Sequence, residues 1–163
     1  MFPPDLVTRA ENLLAQCRVK RVKLVTAESC TGGLVSGLLT EIPGSSDVVD
    51  RGFVTYSNAA KIDCLGVPPQ LIARLGAVSG KVATSMAQGA LMHSRADVAV
   101  AITGVAGPGG GSETKPVGLV YIAARSRFGP AVTREYRFGE QNRQSIRLAS
   151  VAAALDLLEQ VIT

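Results

Sequence analysis

Val22-Lys23-Leu24-Val25-Thr26-Ala27-Glu28-Ser29-Cys30-Thr31-Gly32-Gly33 is the stretch that decides the architecture. Val22 to Ala27 is short, apolar and β-branched, and reads as a strand. It runs straight into a polar turn closed by two glycines. Beyond them Leu34, Val35, Leu38 and Leu39 share one face of a helix, which Pro43-Gly44 ends. A strand feeding a helix through a glycine turn is the unit of an α/β layer.

Working upstream, Asp5 follows Pro3-Pro4 and is placed to cap a helix. Leu6, Ala10, Leu13, Leu14 and Cys17 then recur at helical spacing. Downstream, Val48 to Tyr56 reads as a strand, and Ser57 to Lys61 leads into a short helix. Pro68-Pro69 opens another that runs through Leu75, and Ser79 caps a longer one from Gly80 to about Ser94. Asp97 to Ile102 is an apolar, central strand, followed by a long loop from Thr103 to Pro116. Val117–Arg125 and Ala131–Phe138 form a hairpin around Phe128-Gly129-Pro130. A final helix runs from about Asn142 to Ile162. Strands alternate with helices until that hairpin, so helices cover both faces of a mixed sheet. Neither an internal repeat nor a linker is visible, and residues 1–163 read as one domain.

With 163 residues, 47% of them hydrophobic and 18% charged, the composition is that of a globular chain. Such a length buries roughly 70% of the unfolded surface, so neither a metal nor a disulfide is needed as a staple. The net charge of +4 is mild and suits an anionic small substrate through weak steering. Arg18, Lys20, Arg21 and Lys23 cluster, yet no aromatic platform is interleaved with them, so a solvated face is preferred to a nucleic-acid footprint. Cys17, Cys30 and Cys64 are odd in number and show no metal-binding spacing, and there is a single histidine, His93. No metal and no cofactor are expected. Free thiols fit a reducing cytosol. Met1 to Pro4 does not open a signal peptide, and no run of 18 apolar residues occurs to span a membrane. The chain is therefore expected to be cytoplasmic.

Three segments fall at the ends of expected strands, where open α/β sheets bind ligands. They are Ala27–Gly33, Tyr56–Lys61 and Thr103–Gly111. Ser29 sits where strand turns to helix, where orphan N–H groups and the helix dipole favour developing negative charge. It is either a nucleophile or, with Thr31, an ordinary helix cap. Cys30 is a rival nucleophile, but such a thiol needs a base, and the one histidine lies near the end of the long helix. Lys61 is the plausible base for Ser29 if burial lowers its pKa; otherwise it is a solvated lysine opening a helix. Tyr56, five residues earlier, is placed to orient it or relay the proton. The glycine-rich loop, with Gly104, Gly107, Gly109, Gly110 and Gly111, can present backbone N–H groups to an anion, or can simply be a connection. Lys115, Arg143 and Arg147 can reach a phosphate or face water.

Taken together these segments resemble the CinA C-terminal domain family, the nicotinamide-nucleotide amidases. The stretches that carry the resemblance are Ala27–Gly33, Tyr56-Ser57-Asn58 with Lys61, Gly76–Ser79, Ala101–Gly104 through Ala106-Gly107-Pro108, and Lys115–Gly118. The resemblance implies a three-layer α/β/α sandwich with a mixed, mostly parallel sheet. It implies hydrolysis of nicotinamide mononucleotide to nicotinic acid mononucleotide and ammonia by a serine–lysine mechanism without metal. Ser29 then matches the nucleophile, Lys61 the base, and Tyr56 and Thr103 supporting polar groups. Substrate contacts are expected at Thr31, Gly32, Gly33, Asn58, Gly104, Gly107, Gly109 and Gly110. The oxyanion would be held by N–H groups at the helix start, helped by Thr103. Phe138–Arg143 departs from the family's glycine-acid-arginine pattern, so the resemblance assigns Arg143 no role. The expected partners are a small-molecule nucleotide and further copies of the chain, with no nucleic acid and no membrane. The alternative is a pyridine-nucleotide-binding module that turns nothing over.

Overall fold

The computed structural model describes all 163 residues, Met1–Thr163. Five strands form one sheet: β1 (Leu24–Glu28), β2 (Val49–Val54), β3 (Val98–Gly104), β4 (Leu119–Ser126) and β5 (Ala131–Arg137), in the order β2-β1-β3-β4-β5. β1 is parallel to β2 and β3, while β4 is antiparallel to β3 and β5. Four of the five strands thus point the same way and β4 alone is reversed. By neighbouring pairs the sheet is evenly divided, two parallel and two antiparallel. The six α-helices are α1 (Pro4–Lys20), α2 (Leu34–Thr40), α3 (Asn58–Leu65), α4 (Pro69–Leu75), α5 (Gly80–Met92) and α6 (Arg143–Ile162).

Strand periodicity sorts the core into two faces. Leu24, Val98, Val100, Ile102, Val120 and Ile122 pack with α1, α2 and α6. Val25, Ala27, Ala99, Ala101 and Ala123 pack with α5 and with Leu65 and Ile72 of α3 and α4. Helices on both sides make this an α/β/α sandwich. The second face is built largely of alanine, and helices sit close there. At Gly89 of α5 a Cβ would lie 1.9 Å from the Leu65 carbonyl oxygen, so only glycine lets α3 and α5 meet.

Two local expectations are corrected. Asp5 is not a cap: α1 starts at Pro4 with Asp5 in its first turn and no capping side chain, because Pro at N1 already sets φ for the helix. Neither Ser29 nor Thr31 caps α2, whose N-cap is Gly33 at φ +98°. Buried Glu28 does that work instead, accepting from Val35 N at 2.9 Å and Ser36 N at 3.0 Å. Thr26, two residues back on the same strand face, bonds Ser36.

Candidate active site

The carboxyl ends of β1, β2 and β3 converge on one cleft of about 300 Å³, at the lower end of the range of ligand sites. Among its lining residues are Ser29, Tyr56, Asn58, Lys61, Thr103 and Arg143, together with Gly104, Gly107, Gly109 and Gly110 of the glycine-rich loop. Thr31, Gly32 and Gly33 do not line it. Thr31 is fully buried beneath the turn, and its hydroxyl has no partner there. Gly32 and Gly33 adopt positive φ and shape the turn rather than the cavity wall.

Lys61 stands in the first turn of α3, behind the Ser57 cap. It is 1% exposed, and Ser29 is 8% exposed. Its Nζ donates to Ser29 Oγ at 2.9 Å, to the Thr55 carbonyl at 2.8 Å and to the Tyr56 carbonyl at 3.4 Å. No carboxylate pairs with it. Burial holds its pKa below the usual lysine value, because the ammonium form loses its hydration. The partial positive charge at the start of α3 pushes the same way. A neutral amine fits this site well: two N–H groups rest on the two carbonyls and the lone pair is left for the serine proton. The solvated-lysine alternative is thereby removed.

The rival nucleophile fares differently. Burial pushes the Cys30 thiol up to about 11, so the reactive thiolate is scarce at neutral pH. His93 is exposed at the C-cap of α5, bonded through Nδ1 to the Gly89 carbonyl, and does not line the cleft.

Several supporting groups hold positions the sequence does not announce. The Tyr56 phenol is bonded by Arg143 Nη2 at 2.8 Å, not by Lys61; only the Tyr56 backbone carbonyl faces the amine. Thr103 Oγ1 donates to the Ala77 carbonyl at 2.9 Å, so its proton is engaged, and it fixes the Ala77-Val78 wall of the cleft. Lys115 donates to the Leu75 carbonyl beside that wall and does not line the cleft. Arg143 Nη1 holds the Gly107 carbonyl at 2.7 Å, and Arg147 bonds the carbonyls of Cys30 and Thr31 at 3.1 and 3.0 Å. Neither arginine is merely solvated. Both act across more than thirty residues of sequence, which no local pattern could disclose.

The α2 start cannot hold an oxyanion, because its first N–H groups are taken by Thr31 O, Glu28 and Gly33 O. The Ser29 N–H is taken by Ile102 O. Free donors lie one step earlier: the N–H groups of Cys30 and Thr31 have no acceptor in the protein, and neither do those of Ala106, Gly107, Gly109 and Gly110. The only charged side chains lining the cleft are Lys61 and Arg143. No three His, Cys, Asp or Glu side chains come together as a metal site, and no helix is long and apolar enough to cross a membrane.

The chain is similar to several known proteins. A putative competence-damage inducible protein of Caldicellulosiruptor bescii is 51% identical over 143 residues, covering 88% of this chain and 34% of its own length. The chain spans about a third of several such relatives. The nicotinamide-nucleotide amidohydrolase PncC of Escherichia coli K12 is 44% identical over 160 residues, covering 98% of this chain and 96% of that protein. Among solved structures, the competence/damage inducible protein CihA of Agrobacterium tumefaciens superposes with a TM-score of 0.98 at 51% identity, covering 100% and 99% of the two chains. A CinA superfamily protein of Escherichia coli superposes with a TM-score of 0.90 at 33% identity, covering 98% and 93%. The model of the CinA C-terminal domain matches residues 7–162, and the chain belongs to that family.

Proposed function

We propose that this protein hydrolyses the carboxamide of nicotinamide mononucleotide to nicotinic acid mononucleotide and ammonia, with Ser29 as nucleophile and Lys61 as base. The observation that carries the reading is the buried pair: Lys61 Nζ lies 2.9 Å from Ser29 Oγ in a cleft that Arg143 also lines and no carboxylate does. The amidohydrolase that matches along nearly its whole length supports the choice of substrate.

Lys61, neutral when substrate binds, takes the Ser29 proton as Oγ attacks the carboxamide carbon. The positive pyridinium ring makes that carbon more electrophilic. The free N–H group of Cys30, which lines the cleft, receives the oxyanion; one such donor is typically worth about 10²–10³ in turnover. The Lys61 ammonium then returns its proton to the departing nitrogen, and ammonia leaves. Water, deprotonated by Lys61, hydrolyses the acyl-enzyme, releasing the carboxylate and restoring Ser29. Arg143 and the free N–H groups of the glycine-rich loop accept the phosphate.

The test is product analysis after incubation with nicotinamide mononucleotide and, separately, with free nicotinamide. The expected result is ammonia and the acid nucleotide from the first only, abolished in Ser29→Ala and Lys61→Ala variants that keep their circular dichroism. Normal turnover in either variant refutes the assignment. Nucleotide binding with no ammonia released by the parent protein makes it a binding module.

A further inference from the structure

We propose, resting on the reading of the glycine-rich loop as the seat of the phosphate, that Lys115 is a positioning residue: it ties that loop to a second wall of the cleft and so sets the affinity for a phosphorylated ligand. Two connections from different parts of the chain line the cleft, Ala77-Val78 between α4 and α5, and residues 104–110 after β3. Two side-chain bonds join them. Where the loop starts, Thr103 Oγ1 donates to the Ala77 carbonyl at 2.9 Å. Where it returns, Lys115 Nζ donates to the carbonyl of Leu75, the last residue of α4. Carbonyls at a helix end lack an intrahelical donor and carry the negative end of its dipole, so an ammonium is well placed there.

Arg143 holds the loop at Gly107, and beyond that point its support is sparse. Pro108–Thr114 is exposed and also borders a separate hollow of about 420 Å³ beside Glu140. Of the hydrogen bonds made by Pro108–Lys115, only the Lys115 Nζ bond leaves the segment. The backbone of Lys115 is locked to the loop by a closed turn, with Ser112 N donating to Lys115 O at 2.8 Å and Lys115 N to Ser112 Oγ at 3.0 Å. A pull on the side chain therefore reaches the loop. The other partner is fitted to it as well: Gly76 sits at φ +76°, and a Cβ there would lie 2.6 Å from Nζ. Gly109 and Gly110, whose N–H groups have no acceptor in the protein, line the cleft and belong to the tied segment. Holding them in place before a ligand arrives removes an ordering cost from binding. Lys115 does not line the cleft, so it acts through the loop and not as a phosphate contact.

The full chain is compared with Lys115→Met, Gly76→Ala and the double variant. Calorimetry measures binding of nicotinic acid mononucleotide and of nicotinic acid riboside, the same ligand without its phosphate. Losing one charge-assisted bond that pre-orders the loop should weaken the nucleotide by about tenfold in Lys115→Met and shift the riboside by less than about threefold. In ammonia release KM should rise with the loss of affinity while kcat moves by less than about threefold. Gly76→Ala keeps the charge but crowds the ammonium off Leu75, so it should weaken the nucleotide too, and the double variant should lose less than the product of the two single losses. A glutamate-specific protease should cut at Glu113 faster in Lys115→Met than in the parent, and slower again once the nucleotide is bound. Nucleotide affinity within about threefold of the parent in Lys115→Met overturns the proposal. So do equal losses for nucleotide and riboside, a double variant that loses the full product, or a loss accounted for by a smaller folded fraction in circular dichroism. A parent protein that binds the nucleotide but releases no ammonia defeats the proposed reaction alone, and the calorimetry still decides this inference; a parent that binds neither ligand overturns both.

Discussion

Replacing Lys61 by methionine removes the amine while nearly preserving the length of a side chain that is 1% exposed. Ser29 Oγ loses the amine 2.9 Å away that, on the proposed reaction, takes its proton. General-base catalysis is worth about 10²–10⁴, so ammonia release should fall by that factor, about 2.7–5.4 kcal/mol of barrier. Stability should respond with a definite sign. Burial depresses the Lys61 pKa from 10.5, so between the folded value and 10.5 the unfolded chain binds more protons than the folded one. The native state must then gain stability as pH rises through that window, by up to ~1.4 kcal/mol per unit, and below the folded value the full penalty stays in place. Methionine has no such slope. The carbonyls of Thr55 and Tyr56 lose a donor in the variant, at about 1–3 kcal/mol each, but that cost does not vary with pH. Urea unfolding across a pH series, with the parent and Lys61→Met side by side, isolates the slope. A paired kcat/KM profile should show the parent losing about tenfold per unit below the folded pKa of Lys61, and the variant lacking that limb. Two profiles of the same shape, or a stability difference independent of pH, would refute the argument that a desolvated amine is the base.

Ser29→Ala should cost about 10⁴-fold or more in ammonia release with an unchanged fold, since the hydroxyl's one side-chain partner is Lys61; near-parent turnover counts against the nucleophile. Glu28→Gln keeps the shape but sets an amide NH2 against one of the two N–H groups that the two carboxylate oxygens accept, so one bond to the start of α2 is lost and the urea midpoint should drop by the equivalent of about 1–3 kcal/mol. Gly89→Ala places a methyl 1.9 Å from the Leu65 carbonyl, and overpacking of that kind costs about 1–3 kcal/mol. Because α3 also carries Lys61, specific activity per folded molecule should fall as well, measured by kcat after correction for the folded fraction.

The layer order was legible because each strand announces itself in a short β-branched run and each helix in a 3.6-residue stripe. The glycines mark where one gives way to the other. Ser29, Lys61 and the glycine-rich loop stood out for the same reason: they are polar residues at strand ends. What the sequence hid was the pairing of groups far apart. Glu28 reads as one more polar residue of the turn, yet strand alternation aims it at α2, where it satisfies the donors assigned to the oxyanion. Thr103 and Tyr56 both line the cleft, and the partners of their side chains, the Ala77 carbonyl and Arg143, lie too far along the chain for a local pattern to name. Arg147 carries no local signal at all, because its partners lie at the other end of the chain.

The contacts of α6 have a consequence for how the cleft comes together. The helix that holds the Cys30 and Thr31 carbonyls and the Tyr56 ring meets them only across the folded sheet. A chain whose five strands have paired while α6 is still undocked keeps Ser29 and Lys61 on their own elements but leaves the turn between strand and helix slack. On the proposed reaction, competence would arrive in one step, when α6 docks and the turn tightens.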